Sequence, residues 1–228
     1  MLKLFCGYDP REAIGFHVFC QSLIERSSID VQIIPLAGIQ RDGTKAFTYS
    51  RFLVPEMCNF RGQAIYLDAS DMLMLDDIAD LQALFDPTLS VQVVKHDYKT
   101  KHHTKFIGEE YESKNEDYPR KNWSSVILWN CEHFPNQILT KEYVNKQSGA
   151  HLHRFGWLKD DKIGELPNCW NVLVGEMDNT DTKIAHFTLG IPELANYDLC
   201  DYSDQWYETK NRMLYGPLKI QRKKYAAQ

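Results

Sequence analysis

Ala64–Leu75 reads AIYLDASDMLML, and the reading of this stretch decides the architecture. The apolar run Ala64 to Leu67 is a buried strand that delivers Asp68 to the edge of a sheet, and Asp71 follows three residues later. On a continued strand, residues three apart face opposite sides and cannot share a ligand. On a β-turn, positions i and i+3 approach to within about 7 Å, and Asp and Ser are favoured turn residues. Two carboxylates so placed can hold one hard divalent cation, with phosphate oxygens completing its shell. The competing reading is plainer: Asp68 or Asp71 caps a following helix.

Upstream, Leu2 to Cys6 is a second buried strand, followed at once by GYDPREAIGFHVFCQSLIE. Asp9 before Pro10, with Glu12 three residues on, is the signature of an N-cap, a proline at the first helical position and a capping box. Ile14, His17, Cys20 or Gln21, and Ile24 then recur at helical spacing, and Val31 to Pro35 is a strand again. Strand–helix–strand predicts an α/β domain with a parallel sheet and its ligand site at the carboxyl ends of the strands. Downstream, part of Phe52 to Cys58 is expected to be helical, as is a short segment at Ile78–Phe85. Strands are expected at Val91–Val94 and Val126–Trp129. The polar stretch 97–122 between them is a long excursion over the sheet, of a length that is more often functional than idle. Ile138 to Leu158 reads as helical, and Trp170–Val174 and Ile184–Phe187 as strands. No repeat or linker divides the chain, so 1–228 is expected to be one domain.

Composition narrows the function. The formal net charge of −5 argues against a nucleic-acid partner, which calls for a basic excess. No apolar run is long enough to span a bilayer and no signal peptide is apparent, so a cytoplasmic location is the expectation. The basic tail from Pro217 is read as solvated, with peripheral contact to an anionic membrane as the alternative. Six cysteines lie far apart with no CxxC pair, which fits buried free thiols. His96, His102 and His103 match no defensible zinc spacing. GxSxG, HExxH and P-loop patterns are absent, which disfavours those hydrolase readings.

YLDASDMLML resembles the YLD-x-D segment of GT-A glycosyltransferases, most of all family 8, the glycogenin and lipopolysaccharide-galactosyltransferase type. The resemblance implies a GT-A fold, a Rossmann-like, mainly parallel mixed sheet flanked by helices. It also implies a donor bound through Mn²⁺ or Mg²⁺ by the two aspartates, here Asp68 and Asp71, with two residues between them instead of one. Ser70 is a weaker alternative oxygen contact. AHFTLGIP is similar to the family's late HFxGxxKPW motif, which makes His186 the third metal ligand and places Gly190 by the diphosphate. Pro192 stands where that motif's Lys-Pro-Trp tail would begin, so its phosphate-contacting lysine is missing.

Four further segments extend the likeness between about residues 2 and 197. FCGYDPRE implies nucleotide contacts from Tyr8 and Asp9. FTYSRFLVPEM puts the donor-contacting basic residue at Arg51, whose competing reading is a surface ion pair worth under about 1 kcal/mol. WSSVILWN offers Ser124 and Ser125 to the donor, and WLKDDKIGELPNCWN puts a catalytic aspartate at Asp161, or at Asp160 in the neighbouring register. The activity implied is hexose transfer, with retention, from a nucleotide sugar (a UDP-sugar expected) to a glycan, lipid or protein acceptor. The rivals are a non-catalytic nucleotide-sugar or carbohydrate-binding protein and a sugar-phosphate nucleotidyltransferase. No glycine-rich NTP loop near the N-terminus supports the latter.

Overall fold

The computed structural model describes residues 1–38, 45, 47–178 and 181–216. Its strands are β1 (Leu2–Gly7), β2 (Val31–Leu36), β3 (Gln63–Leu67), β4 (Met72–Met74), β5 (Val91–Val94), β6 (Thr104–Lys105), β7 (Ser113–Lys114), β8 (Val126–Asn130), β9 (Ile163–Leu166), β10 (Val172–Leu173) and β11 (Ile184–His186). Its helices are α1 (Ala13–Arg26), α2 (Val54–Met57), α3 (Ile78–Ala83), α4 (Lys141–Lys146), α5 (Gly149–His153) and α6 (Ser203–Tyr215).

Among the described residues the main sheet has the order β2-β1-β3-β8-β5-β9. β8 pairs antiparallel with both neighbours while the other pairings are parallel, so it alone is reversed. Its entry end therefore lies at the carboxyl edge of β3, with Leu67 opposite Val126. That reversal brings Ser124 and Ser125 to the edge where Asp68 emerges.

Alternation along the strands divides the apolar residues between two cores. Leu4, Ile65, Leu67 and Leu128 pack with Phe16, Phe19 and Leu23 of α1 on one face. Phe5, Tyr66, Ile127 and Trp129 pack with Phe52, Val144 and Leu152 on the other. A second sheet, β10-β11-β4, lies against α1 and α6 through Val18, Leu73, Ala185, Phe187 and Trp206.

Several expectations need correction. The capping box at Asp9 does not form: Asp9 accepts from Arg11 N at 3.0 Å, but the buried Glu12 turns away to the Lys45 ammonium. A charge-assisted bond to a lysine outcompetes a bond to a backbone N–H. The run Ile138–Leu158 is not one helix, because Thr140 and Ser148 each cap a new start, accepting from Tyr143 N and His151 N. Trp170 and Asn171 form a 3-10 turn, leaving only Val172–Leu173 as strand. β4, β9 and α6 were not anticipated. The basic tail from Pro217 lies outside the described residues.

Helix α1 packs directly on the turn after β3. A Cβ at Gly15 would lie 2.1 Å from the Ser70 carbonyl oxygen, a rigid backbone atom. Gly15→Ala is therefore expected to cost about 1–3 kcal/mol by overpacking, despite the better helix propensity of alanine. Equilibrium urea denaturation tests this, and an unchanged midpoint would show that helix and turn are free to move apart.

Candidate active site

The segment after β3 is a 3-10 turn, Ala69–Asp71, in which Asp71 N donates to Asp68 O at 3.2 Å. The two aspartates thus sit at the ends of a turn, yet their carboxylates have different partners. Asp68 Oδ1 takes Arg51 Nη1 at 2.8 Å and the Tyr66 hydroxyl at 2.6 Å. Its Oδ2 makes no hydrogen bond among the described residues, and Asp68 lines the cavity. Asp71 Oδ2 takes Lys45 Nζ at 2.9 Å, and Lys45 also binds Glu12. Burial alone would push the Asp71 carboxyl up, but Lys45, together with His186 in its protonated form, outweighs it and holds the group well below the usual carboxylate range.

His186 reaches Asp71 because β11 runs antiparallel to β4, with His186 opposite Met72 and Phe187 N donating to Asp71 O at 2.8 Å. The imidazole's orientation follows from a chain of hydrogen bonds. Ser125 Oγ spends its one proton on Asn122 O at 2.7 Å, so it must accept from the Asn171 amide, also at 2.7 Å. Asn171 Oδ1 then faces His186 Nδ1 at 2.8 Å, which must carry the hydrogen. A neutral imidazole therefore points its Nε2 lone pair at Asp71 Oδ1, 3.2 Å away, and that oxygen has no hydrogen-bond partner among the described residues. Two facing acceptors call for a positive charge between them, either a proton or a metal ion.

That orphaned oxygen is what makes the site fit a divalent cation. A buried carboxylate and an imidazole fixed by an amide on its far nitrogen are the donors that Mn²⁺ accepts, and Mg²⁺ tolerates few protein ligands when phosphates and water supply the rest. Among the described residues no three His, Cys, Asp or Glu side chains converge on one point, so Asp68, Asp71 and His186 are not a preformed triad. Asp68 is drawn aside by Arg51.

Lys45, Phe47, Thr48, Arg51, Lys105 and Phe106 are among the residues that wall the cavity holding Asp68, Asp71 and His186, about 160 Å³ in volume. Arg51 is buried and also donates to Ser124 O at 2.6 Å and Thr48 O at 3.0 Å, so it is no surface ion pair. Ser124 Oγ bonds His153 Nδ1 at 2.7 Å.

Other sequence-derived candidates are committed elsewhere. Asp9 is buried against Arg11, whose Nε and Nη2 lie at 2.9 and 2.8 Å. Tyr8 packs edge-on against Phe16. Ser70 is buried, bonding Gly7 O and Asp9 N at 3.0 Å each, so it ties the turn to β1 and does not face a ligand. Ser125 is likewise used up by Asn122 and Asn171. Gly190 makes room for Tyr197, whose ring carbons would lie 2.6 Å from a Cβ there.

Asp160 and Asp161 are exposed and precede β9, so the parallel β5–β9 pairing places them at the amino edge of the sheet. Asp68, Asp71 and His186 lie some five or six residues further along the strand direction, a rise of roughly 15–20 Å, with β8 and β5 in between. Asp160 pairs with Arg120 at 2.6 Å. The structure does not bring either aspartate to the cluster.

Sequence reasoning overlooked Lys45, Tyr66, Lys105 and Asn171. Tyr66 had a signal, since residues i and i+2 on a strand share a face. Lys105 had none within its polar excursion. His96 is buried with neither ring nitrogen partnered among the described residues, and burial and His186 push it down to about 3.

Over 222 residues the chain is 40% identical to Protein CDI of Arabidopsis thaliana, a match covering 90% of this chain and 84% of that protein. It belongs to the Protein CDI family. No protein-family model matches the chain. Among solved structures this CDI-family chain superposes on the bifunctional glycosyltransferase WbbM with a TM-score of 0.62 at 14% identity, covering 94% of this chain and 50% of the WbbM chain. It superposes on the galactosyltransferase LgtC, solved with donor and acceptor sugar analogs, with a TM-score of 0.60 at 14% identity, covering 92% and 95% of the two chains. The apo glycosyltransferase GlyE of Streptococcus pneumoniae TIGR4 follows at 0.57 and 15%, with 92% and 60% covered. The fold is GT-A, as the resemblance carried by YLDASDMLML implied. No helix among the described residues is long and apolar enough to cross a membrane.

Proposed function

We propose that this CDI-family chain is a metal-dependent glycosyltransferase that moves a hexose from a nucleotide sugar, a UDP-sugar being expected, to a glycan, lipid or protein acceptor with retention. The observation that carries the reading is the unpartnered Asp71 Oδ1 facing His186 Nε2 at the carboxyl edge of a GT-A sheet. A bound Mn²⁺ or Mg²⁺ supplies Lewis-acid stabilisation of the charge that develops on a leaving diphosphate.

The chain's own residues prepare that site. Asn171 fixes the His186 tautomer, Lys45 keeps Asp71 ionised, and Arg51 with Tyr66 orients Asp68 so that its Oδ2 meets the donor. Phe106, tied to Leu189 O at 2.7 Å, walls the cavity against water. A cytoplasmic location is in keeping with six unpaired cysteines.

The distance of Asp160 and Asp161 from the cluster favours one rival, a protein that binds the donor without transferring its sugar. Thermal shifts with UDP-, GDP- and CMP-sugars, with Mn²⁺ and with EDTA, test donor binding. A donor at a hundredfold its Kd stabilises by about 2.7 kcal/mol, and EDTA is expected to erase that shift. Nucleotide release in the same samples separates transferase from binder. No shift with any donor would defeat both readings, and pyrophosphate release from an NTP would point to nucleotidyl transfer.

A further inference from the structure

The excursion between β5 and β8 carries one cation into the cavity on a tightly fixed frame. Lys105 lies on β6, and its successor Phe106 donates N–H to Leu189 O at 2.7 Å. Further back on the same arm, Lys101 N and His102 N donate to the buried Glu176 at 2.7 and 3.2 Å. Asn115, beyond β7, gives Nδ2 to the same carboxylate at 3.1 Å and its backbone N to His103 O at 2.9 Å. A lysine held so firmly does not line the cavity through looseness.

Its ammonium nevertheless makes no hydrogen bond and no ion pair among the described residues, although it shares the cavity with Asp68 and Asp71. Each of those carboxylates already has its own cation, Arg51 for Asp68 and Lys45 for Asp71. Burial, with Lys121 and Lys45 adding repulsion, pushes Lys105 down to about 8. Lys105 is half-buried, and an ammonium partly withdrawn from water with no partner is stabilised when a ligand supplies the missing negative charge. The same cavity wall includes Thr188, whose hydroxyl is able to donate a hydrogen bond to an anion's oxygen, while the Asn122 amide donates to the Tyr98 hydroxyl at 3.0 Å.

We propose that Lys105 is an anion-binding residue that grips the phosphate groups of the donor, supplying the charge that the chain's late motif lacks. This rests on the nucleotide-sugar reading above. Lys105 acts as a point charge with rotatable donors, which suits a phosphate whose orientation is set elsewhere.

The test is calorimetric titration of the full chain, with Mn²⁺ present, by inorganic pyrophosphate, UDP and uridine. Lys105→Gln is expected to weaken pyrophosphate and UDP roughly ten- to a hundredfold, the range of a lost charge-assisted bond, and to leave uridine unchanged. Lys105→Arg is expected to restore most of the loss. Lys114→Gln removes an exposed charge from the same hairpin and is expected to change nothing. Because Lys105→Gln removes an unpaired, half-buried charge, its melting temperature should equal or exceed that of the wild type, which separates lost binding from lost folding. Pyrophosphate and UDP bound by Lys105→Gln within about twofold of wild type would overturn the inference, as would a wild-type protein that binds neither. Pyrophosphate binding that depends on Lys105, without affinity for UDP, would uphold Lys105 as an anion site and defeat the UDP-sugar reading.

Discussion

Asp71→Asn is expected to lower sugar transfer by at least ~100-fold, the scale on which removing one electrostatic stabiliser acts, while the protein stays folded. The fold should survive because of the charges around this carboxylate. Lys45 keeps its ion pair with Glu12, and the asparagine oxygen can still accept from its ammonium. With a neutral His186, Glu12, Lys45 and Asp71 carry a net negative charge, so the substitution leaves a balanced pair behind. What it removes is the anionic Oδ1 opposite His186 Nε2, and with it the reason for a cation to settle there. The Mn²⁺-dependent thermal shift should vanish together with turnover. Wild-type transfer that still responds to Mn²⁺ would end the assignment of Asp71 to the metal.

The same residue shows what a sequence can and cannot disclose. Its place on a turn was legible, because Asp68 and Asp71 flank small residues directly after an unmistakable buried strand, and the hydrogen bond from Asp71 N to Asp68 O bears out the turn. Its partners were not. Lys45 lies 26 positions away, and His186 arrives only because β11 pairs with β4, a three-residue strand too short for its period to register. Long-range pairing is where local pattern loses its force.

Asp160 and Asp161 are the opposite case. A short motif suggested a role, but β9 begins immediately after them and fixes them at the far edge of the sheet. The sequence IGEL contains too little alternation to reveal that strand, so nothing in the reading could warn that the motif faced the wrong way. Ser70, Ser125 and Gly190 teach a related lesson. Small polar residues and glycines beside a site are as often needed to join its loops, here to Gly7, Asn171 and Tyr197, as to touch what it binds. α6 escaped notice for a different reason. It is polar throughout apart from a few positions, and its docking rests largely on the fully buried Trp206.

Arg51→Ala is expected to destabilise the fold by about 3–5 kcal/mol, because it strands one member of a buried ion pair. The guanidinium serves three acceptors from different parts of the chain: Asp68 Oδ1, Ser124 O and Thr48 O. Without it, the Asp68 carboxylate keeps, among the described residues, only the Tyr66 hydroxyl, and the Ser124 carbonyl loses its charged donor at the entry to β8. For a chain of this size each kcal/mol moves Tm by roughly 2–4 °C, so a fall of about 10 °C is the measurable result. Arg51→Lys should recover only part of it, since a single ammonium cannot reproduce the planar fork that reaches all three acceptors. Combining Arg51→Ala with Asp68→Asn should cost less than the sum of the two changes, because the second removes the charge that the first leaves unpaired. If Arg51→Ala melts with the wild type and only donor affinity falls, the arginine is a ligand contact and the frame of the site is held by something else. If stability falls by the expected amount and the double variant recovers part of it, the Arg51–Asp68 pair is the strut that joins the turn after β3 to the entrance of β8. The donor would then bind between two loops that this one side chain keeps in register.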